Sequence, residues 1–112
     1  MPKQCVLAID QGTTNTKALL VDRSGAPVFR TSIQIALTAT AEGFAEQDPE
    51  SIWHSVLTVA DRALRHAHEH SCSVEAIALS NQRETALAWS TANGRCGCTC
   101  RKLAMRARCC HL

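Results

Sequence analysis

The sequence predicts an α/β fold in which one long helix packs on a sheet of short apolar strands. Continuous apolar runs of strand length, 5–9 and 18–21, flank a short polar turn, and such runs indicate strands buried on both faces of a sheet. Between residues 49 and 70, apolar residues recur every three or four positions, which is typical of a helix. A further apolar run at 74–80 follows it.

The first half of the chain predicts three antiparallel strands that form one edge of the sheet. Their expected bounds are 5–10, 16–22 and about 26–36. The turn between the second and third strands contains Gly25, which supplies the positive φ that a tight hairpin requires. We expect residues 38–47 to form a loop.

The long helix has a clear start signal. Asp48 is a good N-cap, and Pro49 at the first helical position loses no needed hydrogen bond. We expect the helix to run to about His70 and Trp53 to pack between helix and sheet. The apolar stripe facing the sheet consists of Ile52, Val56, Val59, Ala60, Ala63 and Ala67.

Two shorter segments follow the helix. Residues 74–80 predict a buried strand, and residues 86–89 predict another. Cys5 and Cys72 are expected to be small buried residues in a reducing compartment.

The turn between the first two strands has the composition of an anion site. Gly12 permits close backbone approach, Thr13 and Thr14 offer N–H and O–H donors, and Lys17 adds a positive charge. Asp10, at the end of the first strand, is a candidate to hold Mg²⁺ through water. The alternatives are that this turn is a plain connection and that Lys17 is only a surface charge.

Three motifs follow one another along the chain. They are the segment from Asp10 to Thr14 followed by Lys17, the segment Glu46–Trp53, and the stretch Leu79-Ser80-Asn81-Gln82-Arg83-Glu84-Thr85. In that order, they resemble the first phosphate motif, the start of the first helix and the glycerol kinase substrate motif of the FGGY carbohydrate kinases. The resemblance covers roughly residues 5–90.

The resemblance implies a ribonuclease H-like (actin-like ATPase) fold with a mixed sheet, of which this chain is a partial N-terminal domain. It further implies an ATP- and Mg²⁺-dependent kinase that transfers the γ-phosphate of ATP to a hydroxyl of a small polyol or sugar similar to glycerol. The phosphate-binding residues would then be Gly12, Thr13, Thr14 and Lys17, with Asp10 as the metal residue.

The pair Arg83 and Glu84 is the candidate substrate-binding site. A cation next to a carboxylate can donate to and accept from neighbouring hydroxyls, although taken alone the pair fits a surface ion pair as well. The resemblance implies polyol binding by both side chains. It assigns the catalytic aspartate to a downstream region, so we expect this chain alone to lack activity. The alternative function is a non-enzymatic remnant or small binding module of the same fold.

The C-terminal residues differ in composition from the rest. Residues 1–93 carry seven Lys and Arg against ten Asp and Glu, whereas residues 94–112 carry five basic residues, no acidic residue and five of the seven cysteines. A nucleic-acid arm and a zinc knuckle are conceivable. However, the cysteines of Cys96-Gly97-Cys98-Thr99-Cys100 and Cys109-Cys110-His111 lack the spacing of structural zinc ligands.

A shift of reading frame explains this tail better. Kinases of the FGGY type carry a Ser-Trp-Gln-Cys segment shortly after the substrate motif. With codons AAG CTG GCA ATG CGC for residues 102–106, reading one base further encodes that tetrapeptide. We therefore expect residues 1–93 to form the partial kinase domain, and residues 94–112 to be a frameshifted tail with the break near 93–95.

The remaining observations bear on location and partners. No apolar run is long enough to cross a membrane, and the first four residues do not begin a signal peptide. We therefore expect a cytoplasmic protein without nucleic-acid or membrane partners; the oligomeric state is open. The three histidines near the helix end, His66, His68 and His70, fit interactions with the helix dipole better than metal binding.

Overall fold

The computed structural model describes residues 2–83 and 85–94, and the backbone of residues 100–102. Its main body consists of the strands β1 (Lys3–Gln11), β2 (Asn15–Asp22), β3 (Pro27–Gln34) and β6 (Cys72–Asn81) and one long helix, α1 (Pro49–Glu69). The strands form a mixed sheet in the order β3-β2-β1-β6, and α1 lies against one face of it. The three antiparallel strands predicted from the sequence are therefore confirmed, and β6 joins them in parallel to β1.

A second, smaller sheet was not predicted. Residues 38–47, expected to be a loop, contain β4 (Thr38–Ala39) and β5 (Ala45–Gln47). The predicted strand at 86–89 is wrong in its bounds, because the structure has β7 (Thr85–Ala86) there instead. The backbone of β8 (Cys100–Lys102) pairs with both β5 and β7. These strands are two or three residues long, too short to give a hydrophobic period.

The start of α1 follows the capping signals. The Asp48 carboxylate accepts hydrogen bonds from the backbone N–H groups of Glu50 and Ser51, both at 3.2 Å, and from the Ser51 hydroxyl at 2.9 Å. The Ser51 hydroxyl and these N–H groups hold the pKa of Asp48 below its ordinary value of 3.8. The predicted N-terminus of the helix is confirmed.

The core lies between α1 and the first two strands. The buried apolar side chains that form it are Cys5, Leu7, Ile9, Ala18, Leu20, Val59, Ala63 and Ala67. They come from alternate positions of β1 and β2 and from every fourth position of the helix, as the side-chain periods of a strand and of a helix require.

Two predictions of burial are wrong. Trp53, expected between helix and sheet, is 56% exposed, and on β6 the side chains of Ile77 and Leu79 are 65% and 67% exposed. Ile77 and Leu79 lie beside Leu7 and Ile9 in the register of the sheet, so they share the face that carries α1. The helix covers β1, β2 and β3 but leaves this part of β6 uncovered.

A buried pair of hydroxyls ties α1 to β2. Ser55 Oγ donates to the carbonyl of Ile52 at 2.6 Å, so Thr16 Oγ1, also 2.6 Å away, must donate to Ser55. Thr16 is completely buried, so its hydroxyl depends on Ser55 Oγ as hydrogen-bond acceptor.

Ser55→Ala is expected to lower the free energy of unfolding by about 2 kcal/mol, because it leaves the buried Thr16 hydroxyl without an acceptor. Denaturant unfolding of the full chain measures the loss. The control is Ser32→Ala at an exposed position of β3, which should be close to neutral. Thr16→Val added to Ser55→Ala should recover part of the loss; strict additivity of the two would contradict the pairing.

Among the described residues, no helix has both the length and the hydropathy that a membrane crossing needs.

Candidate functional site

The candidate site lies where β1 and β6 end. These neighbouring strands are parallel, and their last pairs are Asp10 with Ser80 and Gln11 with Asn81. The turn that follows β1 and the segment that follows β6 therefore leave the sheet at the same edge. In open α/β sheets, ligands bind in the crevice beyond the carboxyl ends of the strands.

The turn after β1, residues 12–15, is closed by backbone hydrogen bonds. The Gly12 N–H donates to the Asn15 carbonyl at 2.9 Å, and the Ile35 N–H donates to the Thr14 carbonyl at 2.9 Å. A Cβ at Gly12 would lie only 3.0 Å from the Asn15 oxygen, so a side chain there would force the turn open. Thr14 is exposed and Thr13 is half-buried.

Three glutamine side chains join this turn to the segment after β6; we call them the glutamine bridge. Gln82 Nε2 donates to Gln11 Oε1 at 3.2 Å and to Gln47 Oε1 at 3.0 Å. Gln11 Nε2 in turn donates to the Gly12 carbonyl at 2.8 Å, and Gln47 Nε2 to the Thr13 carbonyl at 2.6 Å. The bridge thus fixes two carbonyls of the turn relative to Gln82.

The bridge also reaches the end of the predicted substrate motif. The Thr85 hydroxyl donates to Gln82 Oε1 at 3.0 Å. Gln11 and Gln47 are 6% and 3% exposed, and in the described part of the chain every buried side-chain nitrogen and oxygen has a hydrogen-bond partner. Buried, fully paired amides hold a fixed geometry.

Sequence reasoning did not single out Gln11 or Gln47 as functional. One signal was available for Gln11: it continues the inward alternation of Cys5, Leu7 and Ile9 along β1, which places a polar amide in the core. Gln47 carries no comparable signal, because β5 is only three residues long.

Asp10 and Lys17 lie on the opposite face of the sheet from α1. They are directly paired across β1 and β2, and both are exposed. Ser80 of β6 is the neighbour of Asp10 on its other side. Asp10 is therefore an accessible carboxylate beside a lysine and a hydroxyl, next to the turn.

Of the two predicted substrate residues, the structure describes one. Arg83 is exposed and follows Gln82, so its backbone is attached directly to the glutamine bridge. Glu84 lies outside the described residues. The structure thus brings the turn, Asp10, Lys17 and the start of the substrate motif to one edge of the sheet.

Other surface features lie elsewhere. Two shallow depressions of about 260 and 490 Å³ occur at the opposite end of the sheet, where β1 begins, and contain none of the predicted site residues.

Near the end of α1, His66 stacks between Phe29 and His70, with ring centroids 4.3 and 3.9 Å apart. Within the described ranges, no cluster of three metal-ligating side chains occurs. The Cys96-Gly97-Cys98 segment and Cys109-Cys110-His111 lie outside them.

Comparison with known sequences is consistent with the motifs. The sequence profile of the "FGGY family of carbohydrate kinases, N-terminal domain" matches residues 5–96. A glycerol kinase of Rhodospirillum centenum is 40% identical over 93 residues, which are 83% of this chain and 19% of that protein. A glycerol kinase of Koribacter versatilis is 45% identical over 92 residues, 80% of this chain and 18% of that protein.

Comparison with solved structures supports the fold. The crystal structure of Plasmodium falciparum glycerol kinase with ADP superposes with a TM-score of 0.81 at 23% identity, covering 88% of this chain and 20% of that one. This likeness confirms the predicted α/β actin-like fold with a mixed sheet. The chain spans about a fifth of the length of the curated relatives that it matches. With a family profile over most of its residues and glycerol kinases at 40% identity and above, the chain belongs to the FGGY family of carbohydrate kinases.

Proposed function

We propose that this chain forms the phosphate- and polyol-binding edge of an ATP-dependent kinase of the glycerol kinase type. The reaction is transfer of the γ-phosphoryl group of ATP to a hydroxyl of glycerol or a close polyol. The observation that carries the proposal is the glutamine bridge, which ties the turn at Gly12 and Thr13 to Gln82, the residue before Arg83. Phosphoryl transfer depends mainly on such positioning and on charge stabilisation.

The turn supplies the phosphate contacts. The backbone N–H groups and the hydroxyls of Thr13 and Thr14 donate to phosphate oxygens, and Gly12 lets the phosphate approach the backbone. Lys17 contributes a positive charge from the neighbouring strand. Because the glutamine bridge holds the carbonyls of Gly12 and Thr13, it fixes how the turn is presented.

The residues at this edge also suit Mg²⁺. The Asp10 carboxylate is exposed at the end of β1, and Mg²⁺ in nucleotide sites is held by one or two carboxylates together with water and phosphate oxygens. Asp10 would hold the ion through water. Bound there, Mg²⁺ would offset the negative charge of the phosphates.

Arg83 and Glu84 are proposed to bind the polyol. The guanidinium donates to hydroxyl oxygens and the carboxylate accepts from hydroxyls, a pairing that selects a polyol over an apolar molecule. The family match favours this kinase function over a non-enzymatic binding module.

A chimeric enzyme tests the proposal. Residues 5–93 of this chain replace the matched segment of the Rhodospirillum centenum glycerol kinase, and turnover is followed by coupled ADP release with glycerol and MgATP. In an active chimera, Arg83→Ala is expected to raise the KM for glycerol by about 10–100-fold, because a hydrogen bond that orients the substrate is lost.

The matched control is Arg65→Ala, which removes an exposed arginine paired with Asp61 on α1 and should leave both KM values unchanged. If Arg83→Ala alters the KM for ATP and leaves glycerol kinetics untouched, Arg83 does not bind the polyol. An inactive chimera that folds, with the unmodified relative active in parallel, would count against the proposed function of this segment.

A further inference from the structure

Cys5 and Cys72 bring their sulfurs together at the start of β1 and β6. The Sγ atoms are 2.8 Å apart, although the residues are 67 positions apart in sequence. Both cysteines are free thiols, and both belong to the core side of the sheet: Cys5 is 2% exposed, and the half-buried Cys72 packs against the same core. Neither has a part in the candidate kinase site, which lies at the other end of these strands.

The strand register accounts for this proximity. Lys3 pairs with Cys72 and Cys5 pairs with Val74 across the parallel strands, so the two cysteines are diagonal neighbours on one face. The register shifts between Cys5 and Val6, and such an irregularity lets the strand bend locally. A disulfide bond is about 2.05 Å long, so about 0.8 Å of approach would bring the sulfurs to bonding distance.

We propose that Cys5 and Cys72 are a redox-sensitive thiol pair, which a low-molecular-weight disulfide oxidises to an intramolecular disulfide between β1 and β6. The inference is independent of the proposed kinase function. It assigns a covalent modification to the end of the sheet remote from the candidate site.

The order of the two steps follows from exposure. The hydrogen bond with Cys72 and burial raise the pKa of the Cys5 thiol to about 11, so Cys5 stays protonated at neutral pH. Half-buried Cys72 is reached first. Its thiolate attacks one sulfur of the oxidant, forming a mixed disulfide and releasing one small thiolate.

The second step closes the bond within the protein. As the Cys5 sulfur attacks the Cys72 sulfur of the mixed disulfide, the S–S bond to the small molecule breaks, and the Cys5 proton passes to the departing thiolate, which leaves as a thiol. Two protein thiols are thus oxidised to one disulfide, and one oxidant disulfide is reduced to two thiols. The adjacent Cys5 makes this closure intramolecular, which favours it over further exchange.

Peptide mapping tests the pairing in the full chain. The protein is treated with oxidised glutathione, the remaining thiols are alkylated, and tryptic peptides are analysed by mass spectrometry. Trypsin places Cys5 in peptide 4–17 and Cys72 in peptide 66–83. We expect a disulfide between these two peptides, absent from Cys5→Ser and Cys72→Ser. Alkylation of both cysteines, or linkage of Cys72 mainly to the C-terminal cysteines, would overturn the proposal.

Thermal unfolding provides a second measurement. It uses the full chain with its five C-terminal cysteines replaced by serine, so that only Cys5 and Cys72 remain. Oxidation is expected to raise Tm by on the order of 10 °C, because the bond closes a long loop in the unfolded chain. Cys5→Ala in the same background should show no shift. If the disulfide forms but the oxidised and reduced proteins have the same Tm, the bond does not join the two cysteines as they lie in the folded sheet, and the proposal is overturned.

Discussion

Asp10→Ala is expected to lower kcat of the chimeric kinase by about 10²–10³-fold while changing the KM for glycerol little. The reason is that the carboxylate, exposed at the end of β1 beside Lys17, is proposed to hold Mg²⁺, and loss of a preorganised charge at the phosphates acts on the transition state. Coupled ADP release over a range of Mg²⁺ concentrations measures kcat and the Mg²⁺ requirement together.

One further variant of Asp10 and one control test whether its charge is responsible. Asp10→Asn keeps the shape and removes the charge, so it should resemble Asp10→Ala. Asp61→Ala removes an exposed carboxylate on α1 that pairs with Arg65 and should leave kcat unchanged. A kcat within about twofold of the unaltered chimera for Asp10→Ala would exclude the proposed role.

Gln47→Leu is expected to have the second large effect, because it removes the arm of the glutamine bridge that joins Gln82 to Thr13. The Thr13 carbonyl loses its donor and Gln82 Nε2 loses one acceptor, and both residues are half-buried. We expect the free energy of unfolding of the full chain to fall by about 2 kcal/mol. In the chimera, the KM values for ATP and glycerol should both rise, by about tenfold, because the bridge positions both segments.

The joint effect on two substrates distinguishes the bridge from a residue that contacts one of them. Arg83→Ala should affect glycerol alone, and Gln34→Leu, at an exposed position of β3, should affect neither. A Gln47→Leu chimera that is destabilised but has unchanged KM values would limit the bridge to a structural role.

The elements that could be predicted from the sequence are those in which a hydrophobic period extends over many residues or in which a local signal is clear. The helix start at Asp48 follows from side-chain chemistry within four residues, and the β2–β3 turn follows from Gly25, which has φ +84°. By contrast, which apolar side chains are covered depends on where the helix lies on the sheet. Trp53 and Leu79 carry the same apolar signal as Val59, yet only Val59 is buried.

The features of the candidate site likewise differ in whether the sequence alone could reveal them. Its individual motifs could be found because Gly12, Thr14 and Arg83 stand in recognisable local patterns. The glutamine bridge could not, because Gln11, Gln47 and Gln82 come from three segments, and the bonded pairs are 35 and 71 residues apart in sequence. Such contacts exist only once β1 and β6 lie side by side. The boundary at residue 93 and the frameshift stay predictions.

The position of β1 between β2 and β6 has a consequence for the order of folding. The β1–β2 and β2–β3 pairings are hairpins between consecutive segments, and loops of that length close rapidly. Pairing of β1 with β6 must wait for the intervening helix and joins residues such as Leu7 and Ile77 across most of the chain, so it carries a higher loop-closure entropy and contributes most to contact order. During synthesis, one edge of β1 therefore stays open until β6, which begins at Cys72, leaves the ribosome.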